Sequence, residues 1–211
     1  MPSVGSRHTG LMLQQHQLHK RDHWIFDMDG TLTISAHDFE YIRRKLGLEQ
    51  EVPILEALNA MPGEKAAPLW ELLNEMEEYF ADKSSLMHGA ATLLQILHAR
   101  GAQMAILTRN TLPVVEKTLR ACGIDHFFPR ELILDRDCCV PKPSPDGIHQ
   151  LLDRWQADAA DTVMVGDYLF DLQAGREAGV TTIHLDQKGQ FAWPEFADIC
   201  ICGFDEIEDF V

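Results

Sequence analysis

Positive charge is scarce in this chain: 18 lysines and arginines stand against 33 aspartates and glutamates, a formal net charge of -15. That balance excludes sequence-independent binding to nucleic acid or to an anionic membrane, both of which need a basic surface. Long hydrophobic runs are lacking too, and no stretch approaches the roughly 20 apolar residues of a membrane span. Met1 to Lys20 has neither an apolar core of signal-peptide length nor a cleavage-like end. It reads as a flexible tail (residues 1–20), and its histidines His8, His16 and His19 are given no function. Cysteine is sparse and unpatterned. The five residues, Cys122, Cys138, Cys139, Cys200 and Cys202, have no paired zinc spacing, and their odd number suits the reduced thiols of a cytoplasmic protein better than a disulfide framework. Cys200 and Cys202 read as structural thiols. There is no internal repeat.

What remains is an ordinary globular composition, 45% hydrophobic and 24% charged, over 211 residues. This is enough for one good core, or for a core with a modest insertion. After an apolar strand at Trp24–Phe26 the period becomes helical. Asp38 to Leu46, Val52 to Ala60 and Pro68 to Phe80 read as three helices, with Gly47 and the run Met61-Pro62-Gly63 as stops. None of this stretch reads as strand, which predicts a helical cap over residues 35–85. Met61 and Met76 within it read as packing.

From His88 onward helix and strand alternate. Helices are predicted at Ala90–Ala99, Leu112–Cys122, Pro145–Trp155 and Leu169–Ala178, and strands at Gln103–Leu107, Glu131–Leu134, Thr162–Val165, Thr181–Leu185 and Ile199–Ile201. The alternation implies an α/β fold, a doubly wound, Rossmann-like, mostly parallel sheet with helices on both faces. Its core would comprise residues 21–34 and 86–211, with the small α-helical cap inserted after the first strand. Ligands of such sheets sit beyond the carboxyl ends of the strands, where strand order switches.

Polar residues recur at those ends. The run Trp24-Ile25-Phe26-Asp27-Met28-Asp29-Gly30-Thr31 carries an apolar strand into two carboxylates. Two residues apart, Asp27 and Asp29 would project from one side of an extended segment, where like charges repel. A divalent cation relieves that repulsion, and Mg2+ suits one or two carboxylates with water and a substrate phosphate. Thr108 ends the Gln103–Leu107 strand, Asp167 follows Thr162–Gly166, and Lys142 lies in a loop. Asp171, four residues beyond Asp167, would lie on the same side of a helix, or would cap that helix or pair with Lys142. Gly30 would allow a tight turn out of the first strand.

Four motifs in order resemble those of the haloacid dehalogenase-like hydrolases. They are Asp27-Met28-Asp29-Gly30-Thr31, Thr108 at a strand end, Lys142 in Pro141-Lys142-Pro143, and Gly166-Asp167 with Asp171. An insertion between the first two resembles the phosphoglycolate phosphatase and β-phosphoglucomutase branch. The resemblance implies a phosphatase that hydrolyses a small phosphorylated metabolite through an aspartyl-phosphate. Asp27 would be the nucleophile and Asp29 the acid and base, with Mg2+ on the Asp27 carboxylate, the Asp29 carbonyl and Asp167, and Asp171 behind them. Thr108 and neighbouring amides would hold the phosphoryl oxygens, and Lys142 would stabilise their charge.

Arg109 and Asn110 add a cation and an amide beside the expected phosphate; Arg109 either contacts substrate or is solvated. Arg43, Arg44 and Lys45 form either a solvated face or a substrate-reading cluster. His37 and His88, near the cap hinges, are left without a role. Aspartate at position 29 speaks against a dehalogenase or a phosphonatase. A phosphomutase would use the same two aspartates. A non-catalytic binding module on this fold is disfavoured because both are present. Oligomeric state is open.

Overall fold

The computed structural model describes residues 17–34, 39–50 and 52–211. His8, His16, His37, Asp38 and most of the expected tail lie outside the described residues. The first strand, β1 (His23–Phe26), lies inside a six-stranded sheet. It is followed by β2 (Thr33–Ile34), helices α1 (Phe39–Leu46), α2 (Ile54–Asn59) and α3 (Gly63–Ala81), and β3 (Ser85–Leu86). Then come α4 (Ala90–Ala99), β4 (Gln103–Leu107), α5 (Leu112–Cys122), β5 (Ile133–Leu134), α6 (Asp146–Trp155), β6 (Thr162–Gly166), α7 (Leu169–Ala178), β7 (Thr181–Leu185) and β8 (Ile199–Ile201).

The main sheet runs β5-β4-β1-β6-β7-β8, with every pairing parallel. Strands buried on both faces read as continuous apolar runs, and here alternate residues serve opposite layers. Trp24 and Phe26 pack with Leu93, Leu97 and Val115 of α4 and α5, while Ile25 packs with Ile148, Leu151 and Ala174 of α6 and α7. Phe26 meets Phe128 and Phe204 edge-on, at centroid distances of 6.4 and 6.5 Å. The chain leaves β1 toward β4 and β5, returns to the other side of β1 at β6, and continues to β8. The switch in strand order therefore falls between β1 and β6, so the loops after these two strands face one crevice.

Helices α1 to α3 have an apolar cluster of their own, with Ile42, Leu46, Leu58 and Leu73 at its centre and Met61 and Met76 packed against it. The expected stop at Gly47 is present, with φ at +68°. Two expectations fail here. The third helix begins at Gly63 instead of Pro68, which lies inside it, because Pro62 starts the turn and the carbonyl of Pro62 accepts from Lys65 and Ala66. A strand also reaches into the predicted all-helical span at its last residue, Ser85: β2 and β3, which flank the insertion, pair antiparallel, Thr33 with Leu86 and Ile34 with Ser85.

Two further differences are local. Arg130–Leu132 is a 3-10 turn, leaving only Ile133–Leu134 as strand. Leu18–Lys20, placed by sequence in the flexible tail, form a 3-10 turn whose Leu18 is fully buried in the main core. All five cysteines are free. Among the described residues no helix is long and apolar enough to cross a membrane.

A buried ion pair joins the insertion to the core. Glu77 lies one turn beyond Leu73 on α3 and therefore faces inward. Its carboxylate pairs with the Arg136 guanidinium just beyond β5, the two side chains being 10% and 6% exposed. The Arg136 guanidinium also lies 5.7 Å from the centroid of the Trp70 ring. Glu77→Leu would bury the guanidinium without its partner and should cost about 3–5 kcal/mol of stability. The double change Glu77→Leu with Arg136→Met should recover most of that loss. Urea unfolding of wild type, both single variants and the double variant reads the coupling; a double variant as unstable as the sum of its singles would show that the two side chains do not act as a pair.

Candidate active site

The site begins where β1 ends. The Asp27 N–H donates to the Val165 carbonyl on β6 (2.9 Å), the last bond that keeps the backbone in sheet register. Beyond it the chain turns. Thr33 N–H donates back to Met28 O (2.9 Å), Gly30 N–H to Thr33 O (2.8 Å), and Gly30 takes φ of +88°. Asp27 and Asp29 therefore do not share an extended strand, as sequence spacing alone suggests; they stand on either side of the start of a turn. Their carboxylates still influence one another, and Asp29 takes a hydrogen bond from the Asn110 side-chain amide.

The Lys142 ammonium, 3% exposed, lies at the centre of the crevice. It is 2.6 Å from Asp27 Oδ1, 2.6 Å from Asp171 Oδ1, and donates to the Leu107 carbonyl at 2.6 Å. Burial alone would lower its pKa, but Asp171 and Asp27 outweigh that and hold it above the ordinary lysine value. Asp171 Oδ2 also accepts from the Tyr168 N–H (3.1 Å), so this side chain both caps α7 and pairs with Lys142.

Carboxylate oxygens of Asp27, Asp167 and Asp171 lie within 4.8 Å of one another, a group that could hold a metal ion; the Asp29 carboxylate is not among them. Asp167 forms no ion pair among the described residues, and Thr31 Oγ1 donates to its Oδ1 at 3.3 Å. Three carboxylates against one ammonium leave two negative charges in a nearly dry crevice. Burial, with Asp171 and Asp29 adding to it and Lys142 opposing, pushes Asp27 up to about 7. Burial, Asp27 and Asp171 push Asp167 up to about 8. An all-oxygen donor set with two charges in excess fits a hard divalent cation.

Neighbouring strand ends supply the rest. Thr108, 5% exposed, follows β4; its N–H donates to Leu134 O (3.0 Å) and its Oγ1 accepts from the Asn110 N–H (3.2 Å). Arg109 is half-buried. It pairs with Glu56 of α2 and lies over the Phe170 ring, 5.1 Å from its centroid. A cavity of about 390 Å3 opens from this floor to all three inserted helices. It is lined by Asp27, Asp29, Thr108, Arg109, Asn110, Lys142, Asp167 and Asp171, and Arg43 reaches it from α1. Arg44 and Lys45 do not; they are exposed and lie against the Tyr41 ring. His88 is exposed, 3.9 Å from Asp205.

Sequence reading missed Glu56, Glu77, Tyr168 and Phe170 in this cavity. Only Glu77 carried a signal, being a carboxylate at helical spacing from Leu73 on an otherwise apolar face.

A parallel sheet with acidic side chains at its switch point and a helical lid defines an α/β enzyme working at the carboxyl ends of its strands. The chain belongs to the haloacid dehalogenase-like hydrolases, whose family model matches residues 22–179. It is 30% identical to a haloacid dehalogenase-like hydrolase domain-containing protein of Arabidopsis thaliana, over 82% of this chain and 74% of that protein. It is 28% identical to the pyrophosphatase PpaX of Halalkalibacterium halodurans, over 75% and 80% of the two chains. In fold it is similar to CbbY of Rhodobacter sphaeroides, solved with xylulose-(1,5)bisphosphate, at a TM-score of 0.68 and 22% identity over 88% of this chain and 96% of that one.

Gly30 has two reasons to be glycine. Its φ is positive, and a Cβ there would lie 2.3 Å from Asp167 Oδ2. Gly30→Ala should therefore displace Asp167 and lower turnover by about a hundredfold, while the backbone strain costs only about 1–3 kcal/mol. Steady-state kinetics beside thermal unfolding checks this; a variant with unchanged turnover would show that Asp167 needs no such closeness.

Proposed function

We propose that the protein is a Mg2+-dependent phosphatase of small phosphorylated metabolites. The observation that carries this reading is the three-carboxylate, one-ammonium cluster at the switch point, beside Thr108 at the next strand end. Asp27, Asp167 and the Asp29 carbonyl would hold Mg2+, with Asp171 behind them. The bound ion supplies charge neutralisation that lets an anionic nucleophile approach an anionic phosphate.

The Asp27 carboxylate attacks phosphorus, forming an O–P bond as the bond to the leaving oxygen breaks. Asp29, steadied by Asn110, gives its proton to that oxygen. In the second step Asp29 takes a proton from water, which attacks phosphorus and returns the Asp27 carboxylate. Thr108 Oγ1 and nearby amides hold phosphoryl oxygens, and Lys142 keeps Asp27 oriented while offsetting charge on the transferred group. The inserted helices exclude water while the leaving group departs.

The activity of the PpaX relative and the sugar bisphosphate bound to CbbY both accord with phosphoryl chemistry at such a site. Neither decides the leaving group. Phosphate release from a panel of phosphomonoesters should require Mg2+, stop on chelation and return on Mg2+ addition. Ca2+ should not substitute, because its larger and looser coordination misplaces the nucleophile. Asp27→Asn should lose roughly four orders of magnitude or more in kcat, with an unchanged circular dichroism spectrum. A variant retaining a tenth of wild-type turnover would overturn the nucleophile assignment, and isomerisation of sugar phosphates without phosphate release would assign a mutase instead.

A further inference from the structure

We infer that the leaving group this site selects is an uncharged organic alcohol with an apolar body, rather than a second phosphate or a carboxylate-bearing chain; the inference rests on the phosphatase reading above. The floor of the cavity is fully occupied by polar chemistry, but its upper wall is not. Phe39 of α1, Ile54 and Leu55 of α2 and Phe170 of α7 line it with partly exposed side chains, backed by Ile42 and Leu73, which are buried in the core of the inserted helices. Five large hydrophobic residues are markedly exposed among those described, and two of them, Phe39 (46%) and Tyr168 (48%), lie on this one cavity. An isolated exposed aromatic needs no explanation. Two on one pocket that also carries the partly exposed Ile54, Leu55 and Phe170 give a ligand apolar surface to bury.

Charge points the same way. A second phosphate, as in pyrophosphate or a sugar bisphosphate, needs cations beyond those holding the transferred group. Among the described residues the insertion contributes one cation to the cavity, Arg43, whose Nε donates to the Val52 carbonyl at 3.0 Å. They also contribute two carboxylates, Glu56 and Glu77. On the core side, Arg109 is neutralised by Glu56, and Arg136, outside this cavity, is committed to Glu77. An anionic leaving group would therefore meet two carboxylates, Glu56 and Glu77, that already hold Arg109 and Arg136, with Arg43 the cavity cation that no carboxylate pairs among the described residues. An apolar one meets aliphatic and aromatic wall and displaces water from it.

The test is a chain-length series of n-alkyl phosphates, methyl to octyl, assayed with Mg2+ and the wild-type protein. Pyrophosphate, ω-carboxyalkyl phosphates of matched length and p-nitrophenyl phosphate are run beside it. Each methylene buried should raise kcat/KM about fourfold until the cavity is filled. A terminal carboxylate should cost about tenfold or more against its alkyl match, and pyrophosphate should be the poorest substrate. Phe39→Ser, at a half-exposed position, should reduce the hexyl-to-methyl ratio of kcat/KM about fivefold or more with little change in unfolding temperature. Phosphate release with a flat series, or with pyrophosphate or the carboxylates preferred, overturns this inference and leaves the phosphatase reading standing. No release from any compound, p-nitrophenyl phosphate included, overturns both.

Discussion

One buried ammonium is shared between two carboxylates, with a third close by, and the rest of the site follows from that imbalance. Lys142 lies 2.6 Å from both Asp27 and Asp171, and Asp167 stands near them with no ion pair of its own among the described residues. A folded protein does not keep two excess charges in a dry crevice without consequence: the carboxyls move toward protonation, or a cation enters. The rise of Asp27 to about 7 and of Asp167 to about 8 expresses that pressure in the protein alone. A divalent ion would remove it, and would leave Asp27 ionised and held for attack.

The cluster is a product of sheet topology. Asp27 and Asp167 come from the loops after β1 and β6, adjacent strands that the chain reaches from opposite directions, and Asp171 from the first turn of α7. Close approach also depends on missing atoms. A Cβ on Gly30 would strike Asp167, and one on Gly166 would sit 2.2 Å from Asp171 Cβ. Glycine at these two positions lets the carboxylates come close enough to share a cation. The inserted helices contribute a wall and two acidic contacts to the core, Glu56 to Arg109 and Glu77 to Arg136.

Much of this is legible in the amino-acid sequence. Strands buried on both faces are apolar runs, helix stops are glycines, and the run from Trp24 into Asp27 and Asp29 puts carboxylates at a strand end whatever the surrounding fold. The two alternatives for Asp171, helix cap or partner of Lys142, turn out to be compatible, because its two oxygens serve one each. Other features left no local trace. The β2–β3 ribbon has two residues per strand, too few for any periodicity to register. Proline at position 68 reads as a helix start, although the helix begins earlier at Gly63. The Arg109–Glu56 and Arg136–Glu77 pairs join residues 53 and 59 positions apart, and nothing in either neighbourhood names the partner. Leu18 is an ordinary leucine in a polar stretch until the core closes over it.

The central claim is that the Asp27 carboxylate, oriented by Lys142 and relieved of repulsion by a divalent cation, takes the phosphoryl group covalently. Trapping tests it most directly. The protein is mixed with Mg2+ and p-nitrophenyl phosphate for a few turnovers, quenched in acid and treated with borohydride, which reduces an acyl phosphate but not a carboxylate. Peptide mass spectrometry then locates the reduced residue. The account predicts reduction at Asp27, dependent on Mg2+ and substrate. Reduction at another carboxylate, or steady turnover with no reducible residue during the burst, would contradict it.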